Sequence, residues 1–563
     1  MKVIIVGGVA GGATAAARIR RLNEHAEITV FERSGYISYA NCGLPYYIGD
    51  VITDPEELTL QTPESFFKRF RINMKIHHEV ISIHPECKTV SVKNLENGEI
   101  FEENYDKLIL SPGAKPTQPR LPGVGIDKLF TLHTVEDTFR IKEYINKNHP
   151  KSAVLAGGGF IGLELAENLR ELGMDVTIVQ RPKQLMNPFD PDMASMIHNE
   201  MRKHGIKLVL GYTVEGFKEK DNGVEVLLKD NPSLQADMVV LAIGVTPDTV
   251  LAKEAGLELG IKESIVVNDR METSVPDIYA AGDAVQVKHY VTGNDALISL
   301  AGPANKQGRI IADNICGGDS RYLGSQGSSV IKVFDMTAAT TGINETNAKK
   351  SGLEVDTVIL SPMSHAGYYP GGKVMTMKVI FEKESYRLLG AQIIGYEGVD
   401  KRIDVLATAI HAGLNATQLK DLDLAYAPPY SSAKDPVNMA GFMIDNIAKG
   451  TLKQWHLEDM DKISKDKDVV LLDVRTVGEF SMGHIDGFKN IPVDELRERI
   501  SEIEKGKPVY LICQSGLRSY IASRILEGNG YETYNFSGGF RFYDAVVNDR
   551  ALIERAYACG MDY

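Results

Sequence analysis

Two glycine-rich turns, each leaving an apolar strand and entering a helix, set the limits within which this chain can fold. The first follows an apolar run at residues 3–6 and reads Gly7-Gly8-Val9-Ala10-Gly11-Gly12. An Ala-rich helix over 13–22 and a strand over 27–31 ending at Glu32 come next. The second opens about 150 residues later. There a run at 153–156 leads into Gly157-Gly158-Gly159-Phe160-Ile161-Gly162, a helix to 172 and a strand over 176–179. Such strand–turn–helix–strand units require parallel sheets with helices on their faces. Each turn gathers free N–H groups and a helix dipole at one point, which is where a pyrophosphate binds. Gly7 permits the tight turn and Gly12 lets the helix close on the sheet, but Val9 replaces the middle glycine of G-x-G-x-x-G. The second turn matches fully, with Glu164 just inside its helix. Glu32 stands 20 residues after Gly12, the spacing of an acid that bonds a ribose. In the second unit Gln180 takes that place and Arg181 follows it, which tilts this site toward NADPH while leaving NADH use open.

Two dinucleotide sites in one chain imply an electron relay from a nicotinamide through a flavin to a third group. The segment TSVPDIYAAGD, residues 273–283, supports FAD at the first site. It reads as a strand ending in Gly-Asp, and Asp283 is placed to bond the ribityl or phosphate region. Apolar runs at 107–110 and 238–242 end in Ser111-Pro112-Gly113 and Ile243-Gly244. Strands and helices then mix from 325 to 450 without a nucleotide turn. A polar stretch over 451–468 reads as the last linker, with a boundary near 455, and a new α/β unit starts at 469. The length of 563 residues allows three to four domains.

The net charge of -13 argues against a nucleic-acid partner, which needs a basic face. The five cysteines are Cys42, Cys87, Cys316, Cys513 and Cys559. They form no Cys-x-x-Cys pair, which favours a reducing compartment over a disulfide scaffold. The opening MKVIIVGG reads as a strand rather than a leader, and no apolar run is long enough to span a membrane. A cytoplasmic location is therefore expected, with no membrane partner and no metal.

Two cysteines sit in contexts that carry chemistry. Cys42 lies in Ser38-Tyr39-Ala40-Asn41-Cys42-Gly43-Leu44-Pro45-Tyr46-Tyr47, soon after Glu32. Gly43 and Pro45 fit a turn into a helix, whose N-terminus favours thiolate over thiol. A flavin that passes electrons to sulfur needs a cysteine, and only this one stands in the flavin-site context. Cys513 follows an apolar strand at 509–512 and opens Cys513-Gln514-Ser515-Gly516-Leu517-Arg518-Ser519. A cysteine between a strand end and a helix start sits in a cradle of backbone N–H groups that stabilises a thiolate or persulfide. Arg518 adds positive charge, and Asp473 with Arg475 is expected to brace the loop as an ion pair. A phosphatase-like loop is the nearest chemical rival. Cys87 and Cys316 read as ordinary cysteines, and Cys559 in YACGMDY has no supporting context.

The two nucleotide turns together with NCGLPYY, LILSPGA, TSVPDIYAAGD and AYAPPYSSAKDPVNMAG resemble the coenzyme A-disulfide reductases, over about residues 1–450. These form the single-cysteine branch of the flavoprotein disulfide reductases. The DVR, GHI, NIP and C-x-x-G-x-R-S segments resemble rhodanese domains over about 456–550 and favour that reading over a phosphatase. The resemblance implies an α/β chain of four domains. A Rossmann-like FAD-binding domain spans 1–118 and 245–324, and a Rossmann-like NAD(P)-binding domain spans 119–244. An α+β dimerisation domain spans 325–450, and a C-terminal α/β rhodanese domain spans 456–563. Gly7, Gly12, Glu32, Arg33, Gly113 and Asp283 are then expected at FAD. Gly157, Gly159, Gly162, Gln180 and Arg181 are expected at NADH or NADPH. By the same resemblance Cys42 cycles between thiolate and a mixed disulfide with coenzyme A. Tyr368, in HAGYYPGG, and Tyr426, in AYAPPYS, are expected beside its sulfur, contributed by the partner subunit of a homodimer, with Tyr369 and Tyr430 as close rivals. Thr14, Arg18, Arg21, Ser38, Asn41, Asn305 and Lys434 are expected to contact coenzyme A. Arg18 and Arg21 lie three apart and can share one helix face.

The expected activity is NAD(P)H-dependent reduction of sulfur–sulfur bonds in coenzyme A disulfide and coenzyme A persulfide or polysulfide through Cys42. Cys513, assisted by Arg518, is expected to handle sulfane sulfur that passes to a small thiol. Two rivals stand beside it. One is an NADH oxidase or peroxidase in which Cys42 cycles through a sulfenic acid. The other is a redox sensor that holds FAD without catalysis.

Overall fold

The computed structural model describes residues 1–221 and 223–559, the last four as backbone only. The side chain of Cys559 therefore lies outside the described residues. The chain divides into two compact units, Met1–Pro182 with Ile206–Gly327, and Lys183–Gly205 with Ser328–Tyr563.

The first unit contains two five-stranded sheets, parallel throughout. One runs Ile278–Ala280, Lys107–Leu110, Lys2–Val6, Glu27–Phe31, Asn73–Lys75. The other runs Lys207–Leu210, Asp175–Gln180, Ser152–Ala156, Met238–Leu241, Leu129–Thr131. Val3, Ile4 and Ile5 are wholly buried, which explains a continuous apolar run in place of an alternating one. Each parallel sheet is accompanied by a three-stranded antiparallel sheet, His78–His84 with Thr89–Asn94 and Ile100–Asn104, and Val214–Lys220 with Gly223–Leu228 and Asn231–Ala236.

The first helix is Ala10–Leu22, three residues longer at its start than the sequence suggests. Gly11 and Gly12 form its opening turn because nothing larger fits. A Cβ on Gly12 would lie 1.9 Å from the carbonyl oxygen of Gly7. The second nucleotide helix, Phe160–Glu171, repeats the arrangement, with a Cβ on Gly162 falling 2.2 Å from Gly157 O. Gly7 and Gly157 both hold positive φ, +97° and +121°, against the backbone of Ser111 and Ala242 respectively.

The second unit contains an antiparallel sheet ordered Ser329–Val333, Met336–Gly342, Leu388–Gly395, Met375–Glu382, Val355–Leu360. It also holds a parallel sheet ordered Gln454–Trp455, Thr533–Phe536, Val509–Ile512, Val470–Asp473, Lys489–Asn490. The polar stretch expected as a linker is partly structured. It supplies the edge strand Gln454–Trp455 and the helix Met460–Ile463. Trp455, 2% exposed, drives this ordering by packing on Phe536 with ring centroids 4.5 Å apart. The parallel sheet thus begins before residue 456.

The segment 183–205 lies in the sequence within the expected nicotinamide domain but packs in the second unit. Its helix Pro191–Lys203 meets the C-terminal helix Gly539–Cys559. Asp549, 1% exposed, accepts from Arg202 and from His198 Nδ1 at 2.9 Å, while Asn199 Nδ2 donates to Ala545 O. His198 Nε2 accepts from Leu185 N, which assigns the ring's proton to Nδ1. Among the described residues, no helix is long and apolar enough to cross a membrane.

Candidate functional site

The first nucleotide turn opens onto a cavity of about 590 Å³ lined by Gly7, Glu32, Arg33, Gly113 and Asp283 among others. Glu32 is buried, and both its oxygens hold backbone. Gly8 N donates to one at 2.8 Å and Ser34 N to the other at 2.9 Å. Arg33 is paired with Asp248 at 2.8 Å at the rim. Gly113, at φ +71°, leaves open space where a side chain would stand. Asp283 follows strand Ile278–Ala280 in a short turn, and burial pushes its carboxyl above the usual range. The cradle of glycines, the acid at the strand end and the cavity they open onto fit a dinucleotide such as FAD.

The second turn reproduces the first with one substitution. Gly158 N donates to Gln180 Oε1 at 3.0 Å, the bond that Gly8 makes to Glu32. An amide therefore does the acid's structural work without its charge. Arg181 is exposed beside it, and no atom stands within 4 Å of a Cβ built on Gly159.

Cys42 is in the short turn Asn41–Gly43, followed by a helix of five residues, Leu44–Ile48. So short a helix carries little dipole, and the expected lowering of the thiol pKa is not found. The Sγ is open to the surface on one side, yet burial on the other, with the charges of Glu164 and Asp283, pushes the thiol up. Glu164 is itself pushed up to about 7 by burial, although a hydrogen bond from Tyr46 works the other way. Tyr46 sits on the Cys42 helix and Glu164 on the helix of the second nucleotide turn, so this bond joins the cysteine's segment to the nicotinamide loop. Lys142 Nζ fastens the end of the same helix, donating to Ile48 O at 2.9 Å and Asp50 Oδ1 at 2.6 Å. Sequence reasoning noticed Glu164 only as a position in the turn and missed Tyr46 and Lys142.

Of the residues expected to contact coenzyme A, Thr14, Arg18 and Asn305 come together where helix Ala10–Leu22 meets helix Ala301–Ile315. Thr14 Oγ1 donates to Asn305 Oδ1. Arg18 is paired with Asp313 at 2.8 Å, so it shares its charge, whereas Arg21 is exposed at the helix end. Ser38 holds φ +45° and Asn41 lines the cavity near Cys42. Lys434 is exposed in the second unit, one residue before Asp435 caps helix Pro436–Ala448.

Tyr368 and Tyr426 also belong to the second unit, and their hydroxyls share one hydrogen bond of 2.6 Å. Both are exposed, and that bond pushes the Tyr426 hydroxyl up. Tyr369 instead packs edge-on against His365. One buried guanidinium, which sequence reasoning missed, ties both tyrosine loops together. Arg402, 1% exposed, donates through Nη2 to Ser364 O at 2.9 Å, Tyr430 O at 3.3 Å and Asp435 Oδ2 at 3.0 Å. Ala366 N donates to Ser431 O and closes the two loops on each other.

Cys513 is 1% exposed at the end of strand Val509–Ile512. Its Sγ accepts from Gly516 N and from the buried Ser519 Oγ, both at 3.2 Å. Gly516 turns the loop at φ +95°. Arg475 is clamped on Asp473 through Nη2 at 2.6 Å and lies 3.8 Å from the ring centroid of Phe540, bracing the loop as the sequence suggested. Arg518 has a partner the sequence did not show. Its Nη1 and Nη2 each donate to Glu479 at 2.7 Å, while it still interacts with the charge of Cys513. Cys87 is exposed and Cys316 half-buried, the latter with its thiol pushed up by burial.

Comparison with known proteins follows this division. Residues 1–308 match the pyridine nucleotide-disulphide oxidoreductase family, residues 328–436 the dimerisation domain of that family, and residues 456–545 the rhodanese-like domain. The chain is 38% identical to the coenzyme A disulfide reductase of Staphylococcus aureus strain JH9 over 442 residues, 78% of this chain and 99% of that protein. The solved structure of reduced CoADR-RHD from Bacillus anthracis is 48% identical, with 98% of each chain covered and a TM-score of 0.95. That of an NAD-dependent persulfide reductase from A. fulgidus is 38% identical, covering 96% of this chain and 100% of that one, with a TM-score of 0.90. With two nucleotide cradles, a cysteine beside the first, a dimerisation domain and a cysteine loop on a second sheet, the chain belongs to the pyridine nucleotide-disulphide oxidoreductases, in the coenzyme A disulfide reductase group that carries a rhodanese-like domain.

Proposed function

We propose that the protein reduces sulfur–sulfur bonds of coenzyme A disulfide and coenzyme A persulfide or polysulfide at the expense of NADH or NADPH, with Cys42 as the nucleophile. The observation that carries this reading is Cys42 itself, surface-open at the head of a helix that is bonded through Tyr46 to the nicotinamide loop. Gly7, Gly12, Glu32, Arg33, Gly113 and Asp283 would hold FAD. Gly157, Gly159, Gly162, Gln180 and Arg181 would hold the nicotinamide dinucleotide. When bound, FAD supplies the path by which an electron pair from the nicotinamide reaches sulfur.

The Cys42 thiolate attacks one sulfur of the substrate, forming a new sulfur–sulfur bond while the old one breaks. With coenzyme A disulfide the products are a Cys42–coenzyme A mixed disulfide and one coenzyme A thiolate. With the persulfide, attack on the inner sulfur releases hydrosulfide, and attack on the outer sulfur releases coenzyme A. Two electrons then break the sulfur–sulfur bond on Cys42 and return it to thiolate, releasing a coenzyme A thiolate from the mixed disulfide or hydrosulfide from the Cys42 persulfide. Glu164, titrating near 7, is suited to take up or release the proton that accompanies this exchange.

The hydrogen-bonded pair Tyr368 and Tyr426 supports a role in stabilising the leaving thiolate from the partner subunit of a homodimer. Thr14, Arg18, Arg21, Ser38, Asn41, Asn305 and Lys434 would line the path of coenzyme A. The boundaries 1–118 with 245–324, 119–244, 325–450 and 456–563 are the domain limits we propose, and a reducing cytoplasm suits the free cysteines. Cys513 would carry sulfane sulfur as a persulfide and hand it to a small thiol, with Arg518 holding the loop through Glu479.

The test is anaerobic NADH and NADPH turnover with coenzyme A persulfide and coenzyme A disulfide, quantifying sulfide, in wild type, Cys42→Ser and Cys513→Ser. Turnover of both substrates, with sulfide from the persulfide, is expected to vanish in Cys42→Ser and to survive in Cys513→Ser. Undiminished turnover in Cys42→Ser would overturn the assignment. Neither sulfur substrate reduced anaerobically, with NAD(P)H oxidised only once oxygen is admitted, would restore the oxidase reading.

A further inference from the structure

Tyr368 and Tyr426 stand on different loops, 58 residues apart, and their hydroxyls share one hydrogen bond of 2.6 Å. Both side chains are exposed in the subunit, 76% and 45%. A hydrogen bond between exposed groups is worth about 1 kcal/mol, no more than the cost of fixing the backbone of one residue. The bond therefore records an order imposed from beneath. One hydroxyl donates and the other accepts, so the acceptor keeps a free proton, and the direction of that proton follows from how the two loops meet.

That order traces to Arg402, on helix Val399–His411. Its guanidinium is buried and reaches both loops. Nη2 donates to Ser364 O at 2.9 Å, at the base of the Tyr368 loop, and to Tyr430 O at 3.3 Å and Ser431 Oγ at 3.2 Å in the Tyr426 loop. Tyr430 N and Ser431 N in turn donate to the carbonyl of Ala427, the residue after Tyr426. Ala366 N donates to Ser431 O and Tyr369 N to Ala366 O, which carries the same order to Tyr368. Asp435 fixes the guanidinium, its Oδ2 accepting from Nε at 3.2 Å, from Nη2 at 3.0 Å and from Ser431 Oγ at 2.7 Å. Gly398 O takes Nη1 at 3.1 Å. Resting on the reading of Tyr368 and Tyr426 as donors to the leaving thiolate, we infer that Arg402 is the positioning residue of that pair. It keeps the loops at the separation where one hydroxyl supports the other and the free proton is aimed. An ammonium lacks the planar fork, so a lysine at 402 would keep a cation beside Asp435 without bridging both loops.

The test uses the full-length holoenzyme as wild type, Arg402→Lys, Tyr368→Phe/Tyr426→Phe and all three changes together. Flavin content, oligomer mass and a thermal melt report folding. NADH turnover is measured anaerobically at saturating coenzyme A disulfide and at saturating dithiobis(nitrobenzoate), an aromatic disulfide whose thiolate leaves without help. Arg402→Lys is expected to slow coenzyme A disulfide on the order of tenfold, part of the worth of a hydrogen bond to an ionised group, and the aromatic disulfide several-fold less. The tyrosine variant should show the same selectivity. Adding Arg402→Lys to it should cost little more, because residues that act through one another are not additive. Ser431→Ala removes one link between Arg402 and the Tyr426 loop and should move the ratio of the two rates in the same direction. It carries the test if Arg402→Lys does not fold. An unmoved ratio in the variant that carries the test, or full additivity of Arg402→Lys with the tyrosine changes, would overturn the positioning role alone. Undiminished turnover of coenzyme A disulfide in Tyr368→Phe/Tyr426→Phe would overturn the tyrosine reading on which that role rests.

Discussion

Glu164 shows how much one carboxyl can carry. It lies on the second nucleotide helix, accepts from Tyr46, is pushed up to about 7 and raises the Cys42 thiol through its charge. As pH rises through 7 the carboxylate forms, and the thiol beside it becomes harder to ionise. Glu164→Gln removes that charge, so Cys42 should become alkylatable at lower pH. The expected result is an iodoacetamide rate profile for the reduced enzyme displaced acidward by at least half a unit, about 0.7 kcal/mol. An unchanged profile would show that the charge does not reach the sulfur. Residues of this kind are half legible in a sequence. Cys42 and Cys513 stand out because glycine turns and strand ends announce them. Gln180 is legible as the place of a missing acid, but its bond to Gly158 is not. Arg402 and the partner of Arg518 leave no local mark, because Ser364 and Asp435 lie 38 and 33 residues from Arg402, and Glu479 lies 39 residues from Arg518.

At the scale of elements, the two nucleotide units were readable because period and punctuation agree. Buried parallel strands are continuous apolar runs, and glycines mark where helix and sheet touch. The edge strand Gln454–Trp455 was hidden in a polar stretch, since two residues cannot display a period. Yet it docks the parallel sheet on the antiparallel one. Gln454 Nε2 donates to Thr357 O at 2.8 Å, Ile359 N donates to Ser537 Oγ at 3.0 Å, and His456 Nε2 lies 3.0 Å from Asp356 Oδ1. The His456 ring is pushed up by its bond to Asp356, against the effect of burial, and Asp356 is pushed down by the same bond. The pair's contribution is complete from about pH 4 to pH 6.5, the ordinary values of the two groups. It is lost as pH rises through the elevated His456 value, and on the acid side as pH falls through the depressed Asp356 value. Amide exchange over 451–457 should therefore show protection falling on the alkaline side, beyond the intrinsic rise in exchange rate. His456→Gln should flatten that dependence. Constant protection from pH 6 to 9 in the wild type would show that the hydrogen bond survives without the charge.

Across the whole molecule, the order of residues does not follow the order of packing. The chain leaves its first unit at Pro182, returns at Ile206 and leaves again after Gly327. The excursion is held by Asp549, whose carboxylate is buried between His198 and Arg202 and kept below its usual range by both. Asp549→Ala strips the buried His198 of its acceptor and Arg202 of its counter-charge and should cost about 3 kcal/mol. A thermal melt should show the loss, and an unaltered melt would mean that water replaces the carboxylate at no cost. Deleting the chain beyond 455 removes the same carboxylate, together with the contacts of His456 and Ser537, and uncovers the helix Pro191–Lys203. The Staphylococcus reductase is matched along 99% of its length by 78% of this chain, so a chain without the remaining portion exists elsewhere. Here the added domain has become a ratchet. A lineage can mutate the cysteine loop and lose sulfur transfer at little structural expense. It cannot discard the domain without first re-inventing the face of a helix some 350 residues upstream.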